Sequence, residues 1–164
     1  MNSVVFRERL NDLRPAYDEK YRDLLDRISQ KGDATGRGNV STFGAFYQTY
    51  MYAFLIGLRL GEQRPIERRG MDFAKVGQWK PVPLKDFVLL TLFNRTSVMG
   101  YSWNVLETAK PEIIEQFLRA FQKELEGYAN RGLEYLQDKF DNEKYIFDDP
   151  NVFMSILRDL PTKE

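Results

Sequence analysis

The sequence predicts an all-α protein: a single compact helical bundle of five to seven helices around an apolar central helix (about residues 42–60), with a long C-terminal helix (about 111–140). Three observations carry that reading. Residues 38 to 58 form a run of 21 positions without a charge. Residues 111 to 140 place apolar side chains at alternating steps of four and three. The segments before the first run and after the second also repeat at helical spacing. A chain of 164 residues has room for one domain, 1–164, and at that length folding buries about 70% of the unfolded surface, enough for a core without disulfides or metal. A hydrophobic content of 43% with 14% aromatic residues argues for a globular protein and against disorder.

Residues 3 to 13 hold Val5, Phe6, Leu10 and Leu13, spaced for a short helix that Pro15 interrupts. From Ala16 to Lys31, the apolar positions Tyr17, Tyr21, Leu24, Leu25 and Ile28 alternate with acids and cations, which predicts an amphipathic helix. Residues 32 to 39 contain three glycines and read as a loop ending at Ser41 or Thr42 as the N-cap of the next helix. Their glycines stand beside Arg37, but no strand precedes them, and the lysine and hydroxyl of a phosphate-binding P-loop are missing.

The charge-free stretch is long enough to span a bilayer. Its composition argues otherwise, because Gly38, Asn39, Ser41, Thr42, Gln48 and Thr49 dilute it and Tyr47, Tyr50 and Tyr52 sit in its middle. A buried central helix is the better reading. One of its rows, Ala45, Thr49, Ala53, Gly57 and Gly61, is small at every position, a groove for a neighbouring helix or for a second copy of the chain. Gly61 is placed to end the helix. A second small or polar row, Thr96, Gly100, Asn104 and Thr108, is a candidate partner for it.

Residues 61–83 carry Pro65, Gly70, Gly77, Pro81 and Pro83 and read as a long, cation-rich connecting loop. The apolar run 84–93 fits a buried strand or a helix, and its helical neighbours favour helix, with Pro83 in the first turn. In the long helix, Pro111 opens the segment and Ile114, Leu118, Phe121, Leu125 and Tyr128 form the seam. Ile113, Phe117 and Leu133 widen it into a bundle-type face, while Gly127 and Gly132 weaken its second half and are potential kinks. Asp149 and Pro150 open a last short helix with Val152, Phe153, Ile156 and Leu157.

Composition excludes more chemistry than it suggests. There is no cysteine and no histidine, so disulfides, Cys/His zinc sites, thiol nucleophiles and histidine-activated nucleophiles are absent. No catalytic residue, metal site or cofactor is assigned. Carboxylates are the remaining general bases. Asp141, Glu143, Asp148 and Asp149 crowd one segment without calcium-loop spacing, which predicts a solvated acidic loop with Asp149 capping the last helix. The pairs in Asp18-Glu19-Lys20 and Asp72-Phe73-Ala74-Lys75 resemble nuclease motifs but lack a strand context.

Lysine plus arginine and aspartate plus glutamate each number 24, so global charge steers the protein toward no polyanion. Locally the balance breaks: residues 32 to 106 carry a net +4 and residues 107 to 164 a net −5. The basic excess lies in Arg59, Arg64, Arg68, Arg69, Lys75, Lys80 and Lys85, with Trp79 among them. Two uses fit. The cations pair with the acidic C-terminal third, within the chain or across a self-association contact; alternatively Arg59, Arg64, Arg68, Arg69, Lys75, Trp79 and Lys80 grip phosphates and stack a base. The first predicts a non-catalytic helical interaction module, self-associating or part of a larger protein complex, with the 61–83 loop and the acidic third as contact surfaces. The second predicts a nucleic-acid-associated protein, and a carboxylate-based enzyme ranks third. The expected partners are a protein or a second copy, with no membrane and no small-molecule cofactor. The polar first ten residues, with Arg7, Glu8 and Arg9, lead to an expected cytoplasmic location.

Overall fold

The computed structural model describes residues 2–30, 42–70 and 74–161. They form seven α-helices, with no strand among the described residues. The helices are α1 (Ser3–Asp12), α2 (Arg22–Ile28), α3 (Phe46–Leu60), α4 (Val82–Phe93), α5 (Trp103–Glu107), α6 (Pro111–Asn142) and α7 (Val152–Asp159), with short 3-10 turns at Glu19–Tyr21, Val76–Gln78 and Lys144–Asp148. The glycine-rich loop at 32 to 39 and the Asp72 motif fall outside the described residues. Among those described, no helix is long and apolar enough to cross a membrane.

The core is built on α3 crossing α6. Tyr50, Met51, Ala53, Phe54 and Ile56 are fully enclosed, as are Phe117, Phe121, Leu125, Ala129 and Leu133 facing them. The two backbones touch through the small row. A Cβ placed on Gly57 would land on the carbonyl oxygen of Tyr128, and one placed on Gly132 would land on that of Ala53. Absence of a side chain at both positions is therefore what lets the ridges interlock. The small row meets α6 rather than the 96–108 row. Residues 94 to 100 are a series of tight turns, so that second row has no helix to carry it. Gly127 and Gly132 do not break α6, which runs 32 residues as one helix, about 48 Å at 1.5 Å per residue.

Two helix boundaries differ from expectation, each for a backbone reason. The second helix begins at Arg22 rather than Ala16, because Tyr17 and Asp18 lie outside any helix, with Asp18 extended, and a 3-10 turn follows at Glu19–Tyr21. Residues 17 to 19 pair with the connection after α3: Glu19 N–H donates to the Arg68 carbonyl (2.8 Å) and Gly70 N–H to that of Tyr17 (2.8 Å). The central helix begins at Phe46, with Ala45 and not Ser41 or Thr42 at its N-cap. Residues 43 and 44 are held back by hydrogen bonds with the end of α2, Phe43 N–H to Ile28 (2.7 Å) and Gln30 N–H to Gly44 (2.6 Å). Gln48 caps the start by accepting from Ala45 N–H at 2.9 Å, and Gly61 closes the end in the left-handed conformation at φ 67°.

The segment 61 to 70 is tied down by two buried polar side chains. Asn130 on α6 donates to the carbonyls of Arg64 (3.4 Å) and Pro65 (3.0 Å) and accepts from Asp18 N–H at 3.3 Å. The Asp18 carboxylate in turn accepts the N–H groups of Glu67 (2.8 Å) and Lys20 (3.3 Å). Each buried polar atom thereby finds the partner that burial requires.

Candidate functional site

The cations of 59–85 do not converge on a common face. Arg64 bridges Glu134 (2.9 Å) and Glu62 (3.4 Å), and Arg131 reaches the same two acids at 3.1 and 3.0 Å, closing a neutral four-charge network. Arg69 pairs with Glu126 at 3.2 Å and donates to the Arg14 carbonyl at 3.2 Å. Arg68 pairs with Glu19, and Lys75 with Asp12 at 2.6 Å. The Lys75 hydrogen bond holds the Asp12 carboxyl below its ordinary range. Trp79 is fully buried against Tyr50 (ring centroids 5.9 Å apart), and its indole N–H donates to the Ala74 carbonyl at 3.0 Å. It offers no face on which a base can stack. Arg59 and Lys80 are exposed, and neither forms an ion pair among the described residues. Lys85, half-buried, sits on α4.

Arg64 and Arg69 do share one concavity, an open groove of about 480 Å³ that also takes in Lys123, Glu67 and Glu126. Glu126 there answers Arg69, Arg64 is answered by Glu62 and Glu134 from outside the groove, and Glu67 reaches Lys20 at 3.9 Å. Among the residues that line the groove, the Arg64 N–H is spent on the Gly127 carbonyl at 3.0 Å.

Of the small row, Thr49, Ala53 and Gly57 are buried inside the chain, Ala45 is half-buried and only Gly61 is exposed. The Thr49 hydroxyl meets that of Ser29 at 2.9 Å. The buried part of the row, Thr49, Ala53 and Gly57, packs within the chain.

The acidic segment gathers no cation site: among the described residues no group of three acids is placed to hold a metal ion. Its members are engaged locally. Asp141 accepts from Gln137 (2.9 Å), Glu143 from Lys139 (2.7 Å), and Asp149 from the Asn151 N–H (2.8 Å) in the turn leading into α7. The Glu143 hydrogen bond raises the Lys139 pKa, as expected for an ammonium with its counter-ion. Lys139 and Glu143 border an open pocket of about 450 Å³ under Tyr145.

No family model, curated protein or solved structure matches the chain. The geometry alone carries the functional argument.

One surface was not singled out by the sequence. Helix α4 buries Val88, Leu89 and Leu92, yet Phe87 and Leu90 are 56% and 61% exposed. Its twelve residues contain one lysine, half-buried, and one aspartate, Asp86, exposed at the edge of an outward side that is otherwise apolar. Trp103 at the start of α5 is 43% exposed and packs on Phe93, centroids 5.6 Å apart, at the C-terminal end of α4. The available signal was the lack of polar punctuation in 84–93, which suits a helix covered on both sides. The chain itself covers one.

Proposed function

We propose that this protein is a non-catalytic helical interaction module that works by contact with other protein chain, and that its working surface is the outward side of α4 with Trp103 beside it. The observation that carries the reading is the exposure of Phe87 and Leu90 on a helix with almost no charge. Water contact at such a face is unfavourable by about 25 cal/mol for each Å² left open, and apolar patches of this kind on soluble domains mark contact sites. In this reading the surface shares only the end of the 61–83 segment, from Lys80 to Pro83, and excludes the rest of it and the acidic third, where most charges have partners within the chain. It also fits the absence of any histidine or cysteine in the sequence.

Placing the photoreactive p-benzoylphenylalanine at position 87 of the full chain tests the reading. Irradiation in cells is expected to give a discrete protein adduct, while the same probe at position 68 gives none. No adduct from position 87 at any expression level overturns it.

The nucleic-acid alternative rests on Arg59 and Lys80, the two of its candidate cations that are exposed and form no ion pair among the described residues. A low-salt mobility shift with duplex, single strand and RNA is expected to be negative. A shift lost in Arg59→Ala with Lys80→Ala would replace the module reading.

A further inference from the structure

Building on the interaction-module reading, we infer that the partner is a second copy of the chain, with α4 of each protomer laid antiparallel against α4 of the other. Successive helical residues lie 100° apart, so Pro83, Phe87, Leu90 and Asn94, in steps of four, three and four, form one stripe opposite the buried Val88, Leu89 and Leu92. A two-fold interface sets the same patch against itself, so any charge on the patch faces its own twin. The four positions of this stripe carry none, and the exposed Asp86 stands at its edge, one turn before Leu90. The Thr91 hydroxyl at its edge donates to the Phe87 carbonyl at 2.8 Å and needs no partner elsewhere.

Charge at the two ends selects the direction. Lys80 precedes α4 and is exposed. An antiparallel pair brings it to the C-terminal end of the partner helix, where terminal carbonyls carry partial negative charge. A parallel pair would set Lys80 against Lys80. The cation at the C-terminal end, Arg95, does not oppose the approach. It is turned onto Tyr128, whose hydroxyl lies 2.6 Å from its guanidinium, with Glu124 at 3.9 Å.

The area suits a weak dimer. With Phe87 and Leu90 a little over half exposed, each contributes about 100 Å², so the two-fold pair buries about 400 Å² from these four side chains. Adding Pro83, Val82 and Trp103 from both protomers brings the contact to about 1,000 Å², the low end of specific interfaces. Aromatic anchors such as Phe87 and Trp103 are the groups that dominate such contacts.

Sedimentation of the full chain from about 1 to 500 μM is the test, in the range expected for an interface of that size. The expected result is a monomer that converts to a dimer within this range. Phe87→Glu with Leu90→Glu is expected to weaken association by about 100-fold or more, with an unchanged circular dichroism spectrum because both positions face solvent. Mixing that variant with Phe87→Lys/Leu90→Lys is expected to restore a dimer that neither forms alone. A wild-type chain monomeric throughout overturns the inference, as does a dimer insensitive to both variants. An adduct from the position-87 probe at a mass other than twice the chain's overturns it too, while leaving the interaction-module reading standing. Neither adduct nor dimer ends both.

Discussion

Gly132→Ala isolates the contact on which the bundle is built. The new methyl group would fall on the Ala53 carbonyl oxygen, with the Ala53 Cα also inside contact distance at 2.8 Å. Both obstacles are backbone, so no rotamer change relieves them and α3 must move away from α6. Overfilling a tight core costs about 1–3 kcal/mol, more when the backbone itself is displaced. Parting the helix faces by even 0.5–1 Å forfeits roughly a quarter to a half of their dispersion attraction. Against this stands a gain of about 1 kcal/mol from replacing glycine by alanine inside a helix. The net expectation is a loss of about 3 kcal/mol, which for a domain of this size lowers Tm by about 6–12 °C. Gly127→Ala in the same helix is the control, since it receives the same propensity gain. Its methyl group meets the Gln63 side chain at 2.6 to 3.2 Å, and the Gln63 amide can swing aside. That variant is expected within about 1 kcal/mol of the parent. Urea unfolding followed by circular dichroism reads both, with the midpoint shifting and the slope unchanged. If Gly132→Ala were as stable as Gly127→Ala, the close crossing of α3 and α6 would be wrong.

Two further outcomes follow from the enclosed aromatics. In Trp103→Phe the remaining indole is Trp79, and its emission is expected to be blue-shifted and resistant to acrylamide. Quenching as efficient as for free tryptophan would contradict its burial. On the alkaline side, burial together with the nearby Glu134 charge pushes the Tyr21 hydroxyl up to about 12, and burial raises Tyr50 and Tyr52 as well. A raised tyrosine pKa means that the unfolded chain loses its proton first, so stability is intact below pH 10 and declines from there toward pH 12. Absorbance at 295 nm is expected to show these tyrosines ionising together with unfolding, and a smooth titration near pH 10 that precedes unfolding would refute it.

The sequence read most clearly where a pattern was local and unmixed. The small row in α3 and the four–three seam of α6 each need only one helix to be recognised, and a helix apolar on all sides can stand only in the middle of its domain. The boundaries of α2 and α3 were hidden because backbone hydrogen bonds to other segments hold residues 17 to 18 and 43 to 44 out of the helices. The clamp made by Asp18 and Asn130 was invisible for the same reason: their hydrogen bond joins positions 112 apart, and nothing near either residue marks it. Regional charge showed that cations and acids have opposite excesses. It did not show that Arg68 and Lys75 turn to the N-terminal acids Glu19 and Asp12 rather than to the acidic third. In α4 the pattern was plain and its meaning was not, because an apolar run does not record which of its sides the rest of the chain covers.

The crossing of α3 with α6 also bears on how the chain is made. Ala53 and Gly57 wait for Tyr128 and Gly132, some 75 residues later in synthesis. At about 5–20 residues per second, the charge-free rod emerges from the ribosome roughly 4–15 s before its cover does. During that interval the nascent chain displays a long apolar stretch that only the later helix will cover.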